Sequence, residues 1–410
     1  MFGGFFVSKP KISAMPRTKT PPHLATLILL PAFSVLSLNM FLPSLANISA
    51  DLGADYGLVS LAVAGYLAVT AIVQLVVGPL SDRIGRRPVL LAALTSFFVA
   101  SVACSLAQDV RTFLIFRMLQ GGIISGYALS LAIVRDTTSE REAAGLIGYI
   151  SMTMAIAPMV GPMLGGLLDT AFGWRANFYL YAVLGLVLLV ICWIDLGETR
   201  PARAEHGFAP PERFRTLLRE PLFWAYSLCT AFSTGAFYIF LTGAPLVAAS
   251  EFGVSTAQLG FFIGTITAGF MFGSFLSRRL APKYEPTTMM LTGRLTACIG
   301  LAVGLLVMTA GFLTPIIFFG STIFVGLGNG LTMPSSNTSA MSVRPSLAGS
   351  AAGLNGALVV ASGAILTTLT GLVLPEEGGG VILHSLMLAA SGAGLVSVLW
   401  AMRIKAENSA

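Results

Sequence analysis

A chain of 410 residues with 55% hydrophobic and only 10% charged residues carries more apolar surface than a soluble core can bury; soluble domains hold about 25% charged residues. The net charge of +6 does not indicate a nucleic-acid face, because the basic residues fall between long apolar runs. Three unpaired histidines, and four cysteines (104, 192, 229 and 298) set singly in apolar runs, point to neither a metal site nor a disulfide framework.

Residues 1–23 are polar and basic, with Lys9, Lys11, Arg17 and Lys19, and read as a cytoplasmic segment. The apolar run after them has no clear small-residue cleavage site, so it is expected to remain as a first span rather than leave as a signal peptide. Twelve runs are candidates to cross a bilayer: 24–45, 58–78, 88–107, 111–133, 144–168, 176–194, 222–246, 256–277, 287–308, 312–334, 347–371 and 380–401. Nearly all supply the roughly 20 residues a crossing needs. The ninth and tenth are divided only around Ala310–Phe312. A continuous helix there would be about 70 Å long, too long for one crossing.

Charge tests that count. With the N-terminus inside, 20 of the 24 basic residues fall on the inner side, only Arg111 and Arg175 fall outside, and Arg117 and Arg294 lie within spans. This positive-inside asymmetry supports an even number of crossings with both ends cytoplasmic. The polar stretch 195–221 divides the chain into six-span halves, 24–194 and 222–402, with a tail at 403–410. The expected fold class is an all-α polytopic membrane protein with two six-helix bundles.

Between the second and third runs lies GPLSDRIGRRPVL, residues 78–90, read as a tight basic hairpin with Gly78 and Gly85 as bends. Asp82 can accept from helix ends or an arginine and latch a closed state; alternatively Arg83, Arg86 and Arg87 only anchor topology. Arg117 lies about six residues, roughly 9 Å, inside the outer end of the fourth run. It either faces a cavity or partner as a switch, or snorkels to the headgroups. Gln120 lies one turn further in and can line the same face. In the fifth run, Gly161 and Gly165 form a small-residue face for close helix approach, and Pro158 and Pro162 bend the rod. Such a helix can seal the outer side or serve packing alone. Tyr66, Gln74, Tyr127, Met152 and Met154 in the first half, and Tyr226, Phe237, Tyr238, Asn329, Asn337 and Asn355 in the second, are candidate pocket residues.

These motifs resemble the major facilitator superfamily, and more narrowly its drug:proton antiporters of the Bcr/CflA type. The resemblance rests on the 78–90 loop, on FLIFRMLQGG with Arg117, Gln120 and Gly121, and on APMVGPMLGG with Pro158, Gly161, Pro162, Gly165 and Gly166. SLNMFLPSLANISADLG and the stretch 329–356 resemble further signatures of that group. It implies the major facilitator fold in a bacterial inner membrane and a monomer. It also implies export of small hydrophobic or amphipathic compounds, of chloramphenicol, bicyclomycin or sulfonamide type, against protons, with no cofactor and no enzymatic step. One departure is chemical: Asn39 stands where related exporters have a first-span acid, and Asn cannot carry a proton. All 18 acidic residues fall at or beyond predicted span ends. Coupling would then use a rim acid such as Asp51 or Asp55, or be absent. Asn39 itself either contacts substrate or bonds between helices. An importer or uniporter of a small metabolite is the alternative.

Overall fold

The structure, a computed structural model, describes residues 22–138, 140–199, 217–344, 347–375 and 378–407. Side chains at 79, 135, 140–145, 147–149, 151–155 and 348–350 lie outside that description. Apolar runs with no water to satisfy their backbone must close their hydrogen bonds within the segment, and all of them do so as helix. Twelve rods result. Span one is Leu24–Asn39, a 3-10 turn Leu42–Ser44 and Leu45–Asp51; span two is Tyr56–Ile84; span three is Arg86–Leu106. Span four is Val110–Leu119, a 3-10 stretch Gln120–Ile124 and Ser125–Thr137; spans five and six are Glu140–Phe172 and Arg175–Asp195. Spans seven to nine are Pro221–Ser250, Thr256–Leu280 and Pro286–Thr309, and spans ten to twelve are Pro315–Ser342, Ala348–Val373 and Gly379–Glu407. Eleven rods are long and apolar enough to cross a membrane; in span five the apolar stretch found is the shorter Ile156–Phe172.

Helix ends follow local chemistry. Asp55, Asp109 and Thr314 cap spans two, four and ten by accepting a backbone N–H, and Ser255 with Gln258 forms a full capping box on span eight. The expected break between spans nine and ten is real: Gly311 takes a φ of +97°, which ends one helix and lets the chain reverse. The hairpin at 78–90 differs from expectation. Span two continues six residues past Gly78, so Gly78 is helical, and Asp82 and Arg83 lie in the last turn. The bend is Gly85 alone, at φ +117°.

Rings and glycines hold the rods together. In the first half, rings interlock edge to face: Phe33 on Phe97 at 5.0 Å, Phe113 on Phe178 at 5.4 Å, and Phe178 on Tyr181 at 5.6 Å. In the second, spans eight, nine and ten meet backbone to backbone. A methyl group on Gly326 would overlap the Ile266 carbonyl, one on Gly273 the Leu327 carbonyl, and one on Gly293 the Gly328 carbonyl, leaving no space for any side chain.

Span five lies along span eight, and span two along span eleven, so the halves touch through two helix pairs. At the end of the bundle away from the chain termini, the broken part of span one also reaches spans seven and eight. Tyr56 there donates to the Thr242 carbonyl at 2.5 Å. At the terminal end, each ion pair among the described residues stays within one half: Arg86 with Asp82 and Asp136, Arg344 with Glu220, and Lys405 with Glu285. The halves are therefore stapled at the far end.

Candidate functional site

A cavity of about 300 Å³ lies between the halves, walled by spans one, two, four and five on one side and seven, eight, ten and eleven on the other. Three expected contact residues line it: Asn39, Tyr66 and Tyr238. Gln74, Phe237 and Asn329, named from sequence as candidates, also do. Its polar groups are hydroxyls and carboxamides; among the described residues no Asp, Glu, Lys, Arg or His lies in the wall. Asn39 is not a bond between helices, since its amide donates back to Val35 of its own helix at 2.8 Å.

Other candidates are placed elsewhere. Gln120 is fully buried inside the first half, accepting from Arg117 and donating to Ser101 at 2.7 Å, so it does not reach the cavity. Tyr127 packs in the apolar core rather than the wall. Asn337 accepts from Asn355 at 2.9 Å, joining spans ten and eleven away from the cavity. Tyr226 belongs to a second core cluster. The side chains of Met152 and Met154 are outside the described residues.

Arg117 neither snorkels nor enters the cavity. It is 0% exposed, donating to Gln120 Oε1 at 2.6 Å and to the Ser37 carbonyl at 2.9 Å. Its guanidinium lies between the Phe41 and Tyr66 rings, at 4.1 and 4.3 Å from their centroids. The end of the first helix at Asn39 explains the site: the last carbonyls of a helix have no intrahelical partner, and Ser37 offers one. Ser37 Oγ also bonds the Tyr66 hydroxyl at 2.7 Å, so Arg117 stands one side chain behind the cavity wall.

Span nine holds a counterpart that the sequence placed within the membrane without a role. Arg294 is 0% exposed, donating to Asn329 Oδ1 at 2.6 Å and to Thr332 Oγ1 at 3.1 Å. Asn329 also donates to the Ser233 carbonyl at 3.0 Å. Its depth was visible in the sequence; the acceptors on span ten, a full helix away, were not.

At the terminal end of the first half, Arg86 at the start of span three ties in spans two and four and the segment after span six. It pairs with Asp82 at 2.6 Å and Asp136 at 3.2 Å, touches Ser81, and its backbone N–H donates to Glu198 at 2.9 Å. Arg87 donates to the Trp193 carbonyl at 2.8 Å. Glu198 was not singled out from sequence; it crowds Gly85, where a methyl would sit 2.9 Å from its carboxyl carbon. Gly121 closes against span two, where Thr70 donates to its carbonyl at 3.5 Å.

Span five divides its glycines between two partners. Gly161 and Gly165 face span one of the same half, and Gly165 abuts Met40. Gly166 faces span eight of the other half, against Thr256 and Ala257, and Thr170 bonds Thr256 there at 2.9 Å. Pro158 lines the cavity, and its carbonyl accepts from Thr267 at 3.4 Å; Pro162 stands against Gly260. A second cavity, about 330 Å³, lies at this far-end seam. Asp169 lines it, 6% exposed, and accepts from Asn47 at 3.0 Å.

A cavity between two six-helix bundles is the arrangement found in secondary transporters. The family profile described as Major Facilitator Superfamily matches residues 27–368. The chain belongs to that superfamily and is one of its multi-pass membrane transporters. It is 33% identical over 346 residues to the uncharacterized MFS-type transporter YdgK of Bacillus subtilis, covering 82% of this chain and 85% of that one. It is also 33% identical to a chloramphenicol resistance protein of Pseudomonas aeruginosa, over 66% of this chain and 65% of that one. The multidrug resistance protein MdtL of Escherichia coli is 33% identical over 68% of this chain and 71% of that one. Among solved structures, a bacterial homolog of the human lysosomal transporter Spinster shares the fold, with a TM-score of 0.70 at 18% identity over 92% and 94% of the two chains.

Proposed function

We propose that the chain is a secondary active exporter of small hydrophobic or amphipathic compounds across a bacterial inner membrane. It works as a monomer with both termini cytoplasmic, and it exchanges substrate for protons. The carrying observation is the mixed cavity between halves that, among the described residues, are bonded to each other at the far end. The basic residues on the terminal side support placing that side in the cytoplasm, so the arrangement is open inward. The names of two relatives, for chloramphenicol and multidrug resistance, support export of drug-like compounds. Segments 24–194 and 222–402 are the moving bodies, joined by 195–221 and flanked by 1–23 and 403–410. Residues 1–21 and 200–216 are outside the described residues.

The proton site follows from burial. Of the rim acids expected to serve, Asp51 is bound by Arg175 at 2.6 Å and Asp55 caps span two. Asp169 is the one buried carboxylate among the described residues, and it lies on the seam that must part. The charged groups on the elements around it are engaged elsewhere: Asp51 with Arg175, and Glu251 with the Gly380 amide at 2.6 Å. Opening the far end would expose Asp169 to outside protons. Asn39 favours a second reading, export without protons, since the cavity wall holds no acid. Substrate-dependent proton flux in reconstituted vesicles separates them: flux supports exchange, while substrate movement without flux overturns it. Accumulation in right-side-out rather than inside-out vesicles would mark an importer.

A further inference from the structure

Both buried guanidiniums stand directly behind the cavity wall, Arg117 behind Tyr66 and Arg294 behind Asn329. Neither meets a carboxylate among the described residues: their hydrogen-bond acceptors are a carboxamide and a carbonyl for Arg117, and a carboxamide and a hydroxyl for Arg294. Each keeps one buried nitrogen without a partner among the described residues, Arg117 Nε and Arg294 Nη1. The wall itself carries no acid to cancel them. Two uncompensated positive charges in a low-dielectric wall set a positive potential inside the cavity.

We infer that the cavity selects apolar molecules bearing an anionic or acceptor-rich head group and rejects organic cations. The apolar body rests on Leu67, Phe237 and Phe270, and the head lies toward Asn329 and Tyr66. A charge roughly 8 Å from a guanidinium, at an effective dielectric constant of about 20, changes affinity by about thirtyfold, attractive for an anion and repulsive for a cation. This rests on the reading above that the central cavity is the substrate site. It does not depend on direction or on protons.

The test uses one naphthalene scaffold with three head groups: sulfonate, uncharged sulfonamide and trimethylammonium. Binding to the full chain in nanodiscs is measured by equilibrium dialysis against empty nanodiscs. The sulfonate and the sulfonamide should each bind at least tenfold tighter than the trimethylammonium compound. Asn39→Asp and Asn329→Asp, which put a negative charge into the wall from opposite halves, should each shrink that preference by tenfold or more. Equal or tighter binding of the cation by the unaltered chain overturns the inference. So does a preference that neither variant moves, or binding of none of the three. The assay has no gradient, so a failure of export or proton exchange appears only in the vesicle experiment, and a failure of charge selection only here.

Discussion

Gly166→Ala is a direct trial of the seam. A methyl at that position would sit 2.8 Å from the Thr256 carbonyl carbon, 3.1 Å from Ala257 Cα, and closer still to the Thr256 oxygen. Non-bonded carbons rest at about 3.5–4.0 Å, so spans five and eight must separate by roughly 1 Å. Separation also weakens the Thr170–Thr256 bond at 2.9 Å and the Ala257 N–H bond to Thr170 at 3.2 Å. Overpacking of this size costs about 1–3 kcal/mol, which shifts the balance between far-end-closed and far-end-open states by about 5- to 150-fold. The readout is the labelling rate of a single cysteine placed at Asn47, using a membrane-impermeant maleimide in a variant lacking the four native cysteines. The rate should rise with the open population. The neighbouring Gly165→Ala is the control: its methyl would meet Met40 of the same half, so it should lower the melting temperature without opening the seam. An unchanged rate in Gly166→Ala, or an equal rise in Gly165→Ala, would refute the division of roles.

Asp169→Asn should flatten the pH dependence of substrate-driven proton movement while leaving gradient-free substrate binding intact; an unaltered proton response would remove Asp169 from coupling. Arg117→Met should lose transport and also about 2–4 kcal/mol of stability, because Gln120 and Ser37 are left with unmet acceptors. Adding Gln120→Met should then recover part of the melting temperature, and a purely additive further loss would count against the network. Hydrogen bonding from the Thr112 backbone N–H holds the Asp109 carboxyl below its ordinary value of 3.8, so the carboxylate form stabilises the fold. That contribution is present above about pH 4 and is lost as pH falls through the lowered pKa. Asp109→Ala should therefore melt earlier at pH 6, and the gap should close toward pH 3; a gap constant with pH would contradict the capping role.

The number of rods, the break around Gly311 and the intramembrane depth of Arg117 could be read from the sequence, because each follows from chain-local features. The burial of Arg117 could not, since at roughly 9 Å from the span end snorkelling stayed open. Nor could the rotation of each rod about its own axis. These helices are apolar all round, so they carry no polar stripe to mark the inward face. That is why Gln120, Tyr127 and Asn337 were expected in the pocket and lie outside it, while Thr234, Thr267 and Met333 line it unannounced. Sequence reading assigned Gly161 and Gly165 a close helix partner without saying which, span one as it proves, and it passed over Asp169, whose cavity is closed by residues of the other half. Gly78 was taken as a bend because its polar neighbours suggested a loop; span two runs on into the aqueous end, where Asp82 finds Arg86 one turn later.

Spans eight, nine and ten touch main chain to main chain, with Gly326, Gly273 and Gly293 at the contacts. A joint made of backbone holds its spacing whatever side chains surround it, so the three rods form one rigid unit. The cavity wall borders that joint: Gly326 and Ile266 belong to both, while the side chains of Phe270 and Met333 project from the same two rods into the cavity. Side chains such as Phe270 and Met333 can then change the shape of the cavity while the glycine contacts behind them keep the rods in place.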